Sequence, residues 1–292
     1  MKDLDISRQN DDWSLDLLCA EEFFKRRARL VQATRLVFAL GAAAIGLLFI
    51  GDPSKALLVG VVGLVVTIGG LFADRAERQW VKTAASVKDL FDARLMGLAI
   101  STLNTAPPND EEVIHRARSQ SHRRTSLSNW YPDPGGVPPG YGRLICQRAS
   151  VVWDLRLRKR VGLGAVGAAI ALIVLLLTAG LVKNLSLQDF LISWVAPLSA
   201  LLVFLLQVGL RNLDASRERA SILQLIEAAW ADAVARRQDV SPLRTNTIQD
   251  AIFRVRSSGP VVPRLAQRLL DRAFWDEMNV ASERLKKSAP TV

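Results

Sequence analysis

Side chains that commonly perform catalysis are sparse in this chain of 292 residues. The two histidines, His115 and His122, would need carboxylates such as Glu111 and Glu112 to complete a metal site, and no metal-binding spacing accompanies them. No glycine-rich phosphate loop follows a strand-like segment, and no pair of carboxylates stands at a catalytic spacing. The sequence therefore predicts a protein that is not an enzyme and that has no catalytic residue, no metal and no bound cofactor.

A second set of side chains has the chemistry to recognise a nucleotide. Trp130 and Tyr131 offer flat rings on which a base can stack. Four arginines just before them can bind phosphates, namely Arg116, Arg118, Arg123 and Arg124. The same composition also fits an aromatic anchor beside basic residues that are attracted to lipid headgroups. Both interpretations remain open on the sequence alone.

Trp153 and Asp154 stand just before a basic cluster and a long apolar run. Tryptophan favours the membrane interface, and Asp154 has the i,i+4 spacing for an ion pair with Arg158 on a helix surface. A structural role is therefore one interpretation. The other is that this helix couples a cytosolic event to the membrane, because no proline or glycine falls between Arg143 and Val161. On that reading, Trp153→Ala or Asp154→Ala should abolish the function of the protein while leaving it inserted and at normal abundance.

Four apolar runs must position these side chains. Val161–Val182 has 22 residues and no charge, and at about 1.5 Å per residue it can cross the roughly 30 Å core of a bilayer. The other runs are Leu36–Gly51, Ala56–Ala73 and Phe190–Leu210, and Arg35 can extend the shortest by snorkelling. The runs form two close pairs. We therefore expect an all-α polytopic membrane protein with two transmembrane helical hairpins and long cytoplasmic helical extensions.

Positive charge predicts the orientation of these runs. The two hairpin turns carry one lysine each, Lys55 and Lys183, whereas basic residues cluster at the four other ends. Both termini and the middle segment are therefore expected in the cytoplasm. The net charge of +10 is explained by these flanks, so no nucleic acid polymer is expected as a partner.

The sequence divides into five segments, which alternate between polar and apolar. We predict a cytoplasmic amphipathic N-terminal segment at 1–35, a first transmembrane hairpin at 36–73, a cytoplasmic helical insert with a Pro/Gly-rich loop at 74–160, a second hairpin at 161–210 and cytoplasmic C-terminal helices at 211–292. Apolar residues recur at three- and four-residue steps in the polar segments, which predicts helices there.

The apolar runs contain no ionisable side chain, which disfavours an ion-coupled carrier. Gly164 and Ala168 have the spacing that lets two helix backbones approach, either inside one bundle or between copies. Pro197 is expected to bend or break the fourth run and is a candidate hinge. Gln207 is the strongly polar side chain of the same run.

Two stretches outside the apolar runs resemble a known family. The first contains Trp130-Tyr131-Pro132, Leu144-Ile145-Cys146-Gln147-Arg148 and Val152-Trp153-Asp154-Leu155-Arg156, and the second contains Gln249-Asp250-Ala251-Ile252-Phe253-Arg254 followed by Arg256, Pro260 and Pro263. In their order and spacing they resemble the SMODS-associated four-transmembrane (S-4TM) family of pore-forming effectors. The resemblance covers nearly the whole chain.

This resemblance implies a multi-pass protein of the bacterial inner membrane that serves a cyclic-oligonucleotide antiphage defence system. It implies a homo-oligomer that disrupts the lipid bilayer when triggered, a functional link to a nucleotidyltransferase, and a cyclic oligonucleotide as activator. The candidate ligand or coupling residues are Trp130, Tyr131, Arg148, Trp153, Asp154, Arg156, Arg254 and Arg256. The alternatives are a membrane-anchored sensor or scaffold without pore activity and, less favoured, a small transporter.

Overall fold

The computed structural model describes residues 4–49 and 53–289, with the side chains of residues 53, 56, 193 and 268–279 left out of the description. The described residues form helices joined by loops and contain no strand. The all-α prediction is therefore confirmed. Part of the first predicted hairpin turn, around Gly51 and Asp52, lies outside the described residues.

The first hairpin is formed by α1 (Asp12–Leu48) and α2 (Ala56–Met96). A 3-10 turn (Ile6–Asn10) precedes α1, and another (Pro53–Lys55) precedes α2. The carboxylate of Asp11 caps α1 by accepting a 2.7 Å hydrogen bond from the Ser14 backbone N–H. Gly97 ends α2 with a φ of +60°, a left-handed conformation that glycine adopts without steric cost.

The segment between the hairpins is folded into short helices. It contains α3 (Asp110–Arg118), a 3-10 turn (Ser121–Arg123) and α4 (Arg124–Leu127). It leads into α5 (Pro139–Val182), which has 44 residues and is about 66 Å long. Pro139 suits the first turn of a helix, and no later proline interrupts α5, so its extramembrane and membrane parts are one continuous rod.

The second hairpin is completed by α6 (Leu187–Phe190), a π-helical turn (Leu191–Val195) and α7 (Ala196–Arg236). The π-helical turn ends two residues before Pro197, which has no N–H group to continue the α-helical ladder. A hinge at Pro197 stays a prediction. The chain ends with α8 (Pro242–Ser258) and α9 (Arg264–Ser288).

Four of the described helices, α1, α2, α5 and α7, are long and apolar enough to cross a membrane. Each has 37 residues or more, whereas about 20 suffice for one span, so each continues as a helix outside the bilayer. The protein is therefore a multi-pass membrane protein. Its extramembrane body is built from the extensions of these helices together with α3, α4, α8 and α9.

Glycines bring the membrane helices close together. A Cβ atom built on Gly46 of α1 would lie 1.9 Å from Cβ of Pro197, so the two hairpins touch here at backbone distance. A Cβ atom on Gly209 of α7 would lie 2.7 Å from Cγ2 of Val166 in α5. Small residues thus permit both the contact between the hairpins and the contact within the second one.

Gly164 and Ala168 lie elsewhere on α5. Both are exposed on the outer surface of the bundle, and nothing lies within 4 Å of a Cβ atom built on Gly164. Of the two interpretations of this pair, packing inside the bundle is wrong, because Gly162 and Gly209 make that contact instead.

The fourth run meets a charged network at its polar end. The guanidinium of Arg35 donates a 2.8 Å hydrogen bond to the Gln207 side chain and lies 3.4 Å from carboxylate oxygens of both Asp74 and Glu77. Arg35 is buried, with 9% of its surface exposed, so the expectation that it snorkels is wrong. Its partners come from two other helices, α2 and α7, inside the bundle.

Candidate functional site

A cavity of about 720 Å³ opens into the extramembrane body, within the range typical of small-molecule sites. Its walls come from α1, α2 and α5, from the 3-10 turn at Ser121–Arg123, α4 and the loop after it, and from α8, α9 and the connection between them. Six cationic side chains line it, and they are Lys25, Arg29, Lys88, Arg123, Arg158 and Arg256. Three carboxylates do so as well, from Glu21, Glu22 and Asp154. The excess of positive charge favours an anionic occupant.

Aromatic rings complete the cavity wall. Trp130, Tyr131 and Trp153 all line it, and Tyr131 stacks on Phe91 with ring centroids 6.2 Å apart. Trp153 packs against the buried Leu157. Rings beside cations form the kind of surface that holds a base and its phosphates together.

The chain segment before α1 positions the Trp130 loop. The Tyr131 backbone N–H donates a 2.8 Å hydrogen bond to the Gln9 side-chain oxygen. Asn129 adopts a positive φ of 53°, and its backbone N–H donates a 2.9 Å bond to the Asn10 side chain. The Asn10 amide donates in return to the Asn129 side chain at 2.8 Å. These bonds hold both aromatic residues against α2.

A buried charge cluster lies behind Tyr131. Its hydroxyl donates a 2.8 Å hydrogen bond to the carboxylate of Asp92, which is fully buried in α2. Arg256 of α8 pairs with the other oxygen of the same carboxylate. Burial opposes ionisation of Asp92, but the charges of Arg256 and Lys88 outweigh it and keep the pKa of Asp92 below its usual value.

Lys88 sits in an aromatic cage within this cluster. Its Nζ lies 3.9 Å from the ring centroid of Phe91 and 4.2 Å from that of Trp130. The Asp92 carboxylate is 3.6 Å away, close enough for an ion pair and too far for a hydrogen bond, and Nζ makes none. Burial lowers the pKa of Lys88 to about 7, although Asp92 opposes the shift.

A second charge cluster joins α5 to α7. The carboxylate of Asp154 pairs with Arg158 at 2.9 Å, so the i,i+4 ion pair is present, and it also pairs with Arg219 of α7. Arg219 is 1% exposed. Burial raises the pKa of Asp154, and the two guanidiniums override this and hold that pKa well below its usual range. Burial and the neighbouring Arg158 lower the pKa of Arg219 to about 10.

An extended segment at residues 259–263, here called the strap, closes one side of the cavity between α8 and α9. Arg158 donates a 2.7 Å hydrogen bond to the carbonyl oxygen of Pro260. Arg29 donates a 3.1 Å bond to the carbonyl oxygen of Val262. Two of the six cavity cations therefore also bind backbone carbonyls of the protein itself.

The middle of the strap contacts the first hairpin. Gln32 of α1 donates a 3.4 Å hydrogen bond to the carbonyl oxygen of Val261. The Val261 backbone N–H donates a 3.2 Å bond to the Glu77 carboxylate of α2. Arg219 of α7 donates a 3.0 Å bond to the carbonyl of Val255, one turn before the strap.

The structure divides the eight predicted ligand or coupling residues into two groups. Five line the cavity, and they are Trp130, Tyr131, Trp153, Asp154 and Arg256. The other three, Arg148, Arg156 and Arg254, do not line it. Arg148 lies 3.6 Å from Glu227, while Arg156 and Arg254 are exposed on the outer faces of their helices. For these three, a place in the cavity wall is ruled out because their helices turn them away.

Several cavity residues are absent from the sequence-based prediction. Lys25 and Arg29 belong to the basic flank of the first span and look like orientation signals in the sequence. Lys88 carries a usable signal, since it is a cation between the apolar Val87 and Phe91 in a helical stripe that faces a core. Among the four arginines noted before Trp130, Arg123 alone lines the cavity. Within the described residues, no group of three or more His, Cys, Asp or Glu could hold a metal.

Comparisons with known proteins agree with this architecture. The sequence profile of the SMODS-associating 4TM effector domain matches residues 6–285. A relative from Bacillus cereus (strain VD146), described as a probable CBASS effector molecule, is 18% identical over 268 residues, which cover 86% of this chain and 88% of the relative. No solved structure matches the fold.

Proposed function

The chain belongs to the SMODS-associating 4TM effector family of antiphage defence effectors. On this premise, we propose that it permeabilises the bacterial inner membrane as an oligomer when a cyclic oligonucleotide binds it. The extramembrane body then faces the cytoplasm with both termini. A nucleotidyltransferase of the same defence system supplies the ligand. The protein acts by changing conformation and performs no chemical step.

The cavity is the observation that carries this proposal. It combines about 720 Å³ of space, three aromatic residues and an excess of cationic over acidic side chains. Cyclic oligonucleotides present flat bases and a ring of phosphodiesters, and stacking with charge-assisted hydrogen bonds is how proteins bind such groups. The cations of the wall are paired with carboxylates in the ligand-free structure, so an anionic ligand would share or replace those partners.

The membrane part supports an oligomer. The four spans lack ionisable residues, and the described bundle is closed at its centre by contacts such as Gly46 with Pro197. A conducting path therefore needs several copies. Gly164 and Ala168 are exposed on the outer surface of α5, where a second copy can approach closely.

The direct test is expression in bacteria together with an active nucleotidyltransferase of the same defence system. We expect arrest of growth and loss of membrane potential, measured with a potential-sensitive dye. Arg123→Gln, which changes a cavity cation, should weaken the response. Arg118→Gln removes an exposed arginine from α3 and serves as the matched control.

Three outcomes would each overturn a part of the proposal. Growth arrest with an intact membrane potential would replace pore formation by a membrane-anchored sensor or scaffold. Loss of potential that does not depend on the nucleotidyltransferase would remove the cyclic oligonucleotide from the proposal. Equal effects of Arg123→Gln and Arg118→Gln would remove the cavity from it.

A further inference from the structure

The strap has few bonds of its own. Pro260 and Pro263 have no backbone N–H, and the described backbone bonds at its ends are those of Gly259 to Val255 at 3.2 Å and of Gln267 to Pro263 at 3.2 Å. Between these ends the strap carbonyls accept from side chains of α1 and α5. Its position therefore depends on those side chains.

The fit around the strap is tight. A Cβ atom on Gly259 would lie 2.9 Å from the Val255 carbonyl oxygen and 3.2 Å from a guanidinium nitrogen of Arg219. Arg158 is 3.4 Å from the same point. The two arginines thus enclose the start of the strap at van der Waals distance, and a glycine is required there.

Arg29 and Arg158 serve the strap and the cavity at once. Both line the cavity, and both donate to strap carbonyls, at Val262 and Pro260. A phosphate oxygen carries charge and can be bound by two parallel N–H groups, so it is a stronger acceptor for a guanidinium than a neutral carbonyl. Arg29 is also paired with Glu22 and Arg158 with Asp154, so a phosphodiester in the cavity competes with these carboxylates as well as with the strap carbonyls for the same donors.

The strap is also connected to the membrane. The Glu77 carboxylate that accepts from Val261 lies 3.4 Å from the guanidinium of Arg35. Arg35 in turn donates to Gln207 inside the fourth span at 2.8 Å. The position of the strap and the packing of α1, α2 and α7 at the membrane surface thus share one continuous set of polar contacts.

We propose that the strap is a phosphate-sensitive clasp. A phosphodiester bound in the cavity accepts hydrogen bonds from Arg29 and Arg158, which then no longer donate to the strap carbonyls. The long helices are thereby released from the connection between α8 and α9. Arg29 and Arg158 are thereby assigned as phosphate ligands. The clasp rests on the proposed function, since it takes the ligand to be a cyclic oligonucleotide. In the ligand-free protein the clasp holds the resting arrangement.

Amide hydrogen exchange of the full-length protein in lipid nanodiscs tests the clasp. The Val261 amide is the reporter, because its N–H is bound to Glu77 and the nearby Pro260 and Pro263 have no N–H of their own. The probes are a panel of cyclic di- and trinucleotides, and their binding is measured separately by equilibrium dialysis. We expect a probe that binds to raise Val261 exchange by about tenfold or more.

A ligand-free measurement keeps the clasp testable by itself. Arg29→Gln removes the bond to Val262, together with those to Glu22 and to Gln267 of α9, and should raise Val261 exchange by about tenfold without any probe. Arg26→Gln, an exposed arginine on the same helix with the same change of charge, should leave exchange unchanged.

The outcomes distinguish the clasp from the function. Binding of a probe with unchanged or slower Val261 exchange would overturn the clasp and leave the receptor function intact. Absence of binding by every probe would overturn the cyclic-oligonucleotide trigger, and with it the role of the clasp as that trigger's sensor. Equal exchange in Arg29→Gln and Arg26→Gln would overturn the clasp even if a probe binds.

Discussion

The hydroxyl of Tyr131 donates a 2.8 Å hydrogen bond to the carboxylate of Asp92, and this bond ties the loop that lines the cavity to the buried face of α2. Tyr131 is therefore an anchor whose ring forms the wall while its hydroxyl serves a buried charge. Tyr131, which the sequence predicts to stack on a base, therefore also stabilises the fold through its hydroxyl.

Tyr131→Phe should destabilise the protein by about 1.5–3 kcal/mol, since it removes a hydrogen bond to a charged group and keeps the ring. Thermal unfolding in detergent measures this loss. Tyr141→Phe is the matched control, because the Tyr141 hydroxyl donates at 3.2 Å to the neutral carbonyl of Gln238. A larger loss in the control would contradict the importance of the Asp92 contact.

Asp154→Ala should lower stability by about 3–5 kcal/mol and reduce abundance, because it leaves Arg158 and Arg219 buried beside each other without a counter-charge. The expectation of normal abundance is therefore revised for Asp154. Immunoblots of membrane fractions check it. Asp214→Ala, which removes an exposed carboxylate from α7, should leave abundance unchanged.

Stability should rise with pH between pH 7 and 8.5. The pKa of Lys88 is lowered by burial from 10.5 to about 7, so over this interval the unfolded chain binds a proton that the folded chain has lost. Below pH 7 the buried Lys88 ammonium lowers the free energy of unfolding by its full desolvation cost. As the pH rises, Lys88 loses its proton and the free energy of unfolding increases, by up to about 1.4 kcal/mol per pH unit.

Thermal unfolding across that interval tests the role of Lys88. The charges that act on it are Asp92, Glu21, Arg256 and Lys25. Lys88→Met should remove most of the slope, and Lys159→Met, at an exposed position of α5, should retain it. The series ends at pH 8.5 because burial raises the pKa values of both thiols, Cys19 and Cys146, which reverses the trend at higher pH. A slope that survives in Lys88→Met would contradict the assignment.

Gly46→Ala should destabilise the membrane bundle by about 1–3 kcal/mol, since the added methyl group would overlap the rigid ring of Pro197. Gly41→Ala on the same helix meets nothing within 4 Å and should be neutral or slightly stabilising. Unfolding in detergent compares the two. Equal stability would mean that the hairpins do not meet at Gly46.

The orientation predicted from the basic flanks is tested with alkaline phosphatase fusions, since this enzyme is active outside the cytoplasm. Fusions after Pro53 or Asn184, in the two hairpin turns, should be active, and a fusion after Gln120 should be inactive. The reverse pattern would put the cavity on the side of the membrane away from any cytoplasmic ligand.

The fold could be predicted from the sequence to a large extent. Charge-free runs such as Val161–Val182 admit few structures in a bilayer other than a helix, because backbone groups must be satisfied internally there. The aromatic pair at Trp130 and Tyr131 was also identifiable as a candidate site, since rings beside arginines carry a recognisable chemistry. These conclusions depend on residues that are neighbours in the chain.

The cavity and the strap depend on residues that are distant in the chain. Arg29 and Val262 are 233 residues apart and share a hydrogen bond, and neither has a local pattern that reveals the other. Arg148 and Arg254 do not line the cavity because they lie on other faces of their helices. Which face of a helix meets the cavity is set by packing against helices from elsewhere in the chain.

Local physics in the sequence thus determined the helices, the number of spans and the types of side chain available for a ligand. The tertiary structure alone decided which cations converge, because burial gathers charges from α1, α2, α5 and α8 around one space and makes each require a partner. The Arg158 guanidinium lines the cavity and also donates to a backbone carbonyl, so a ligand and the backbone can compete for it. Only the packed structure reveals this competition.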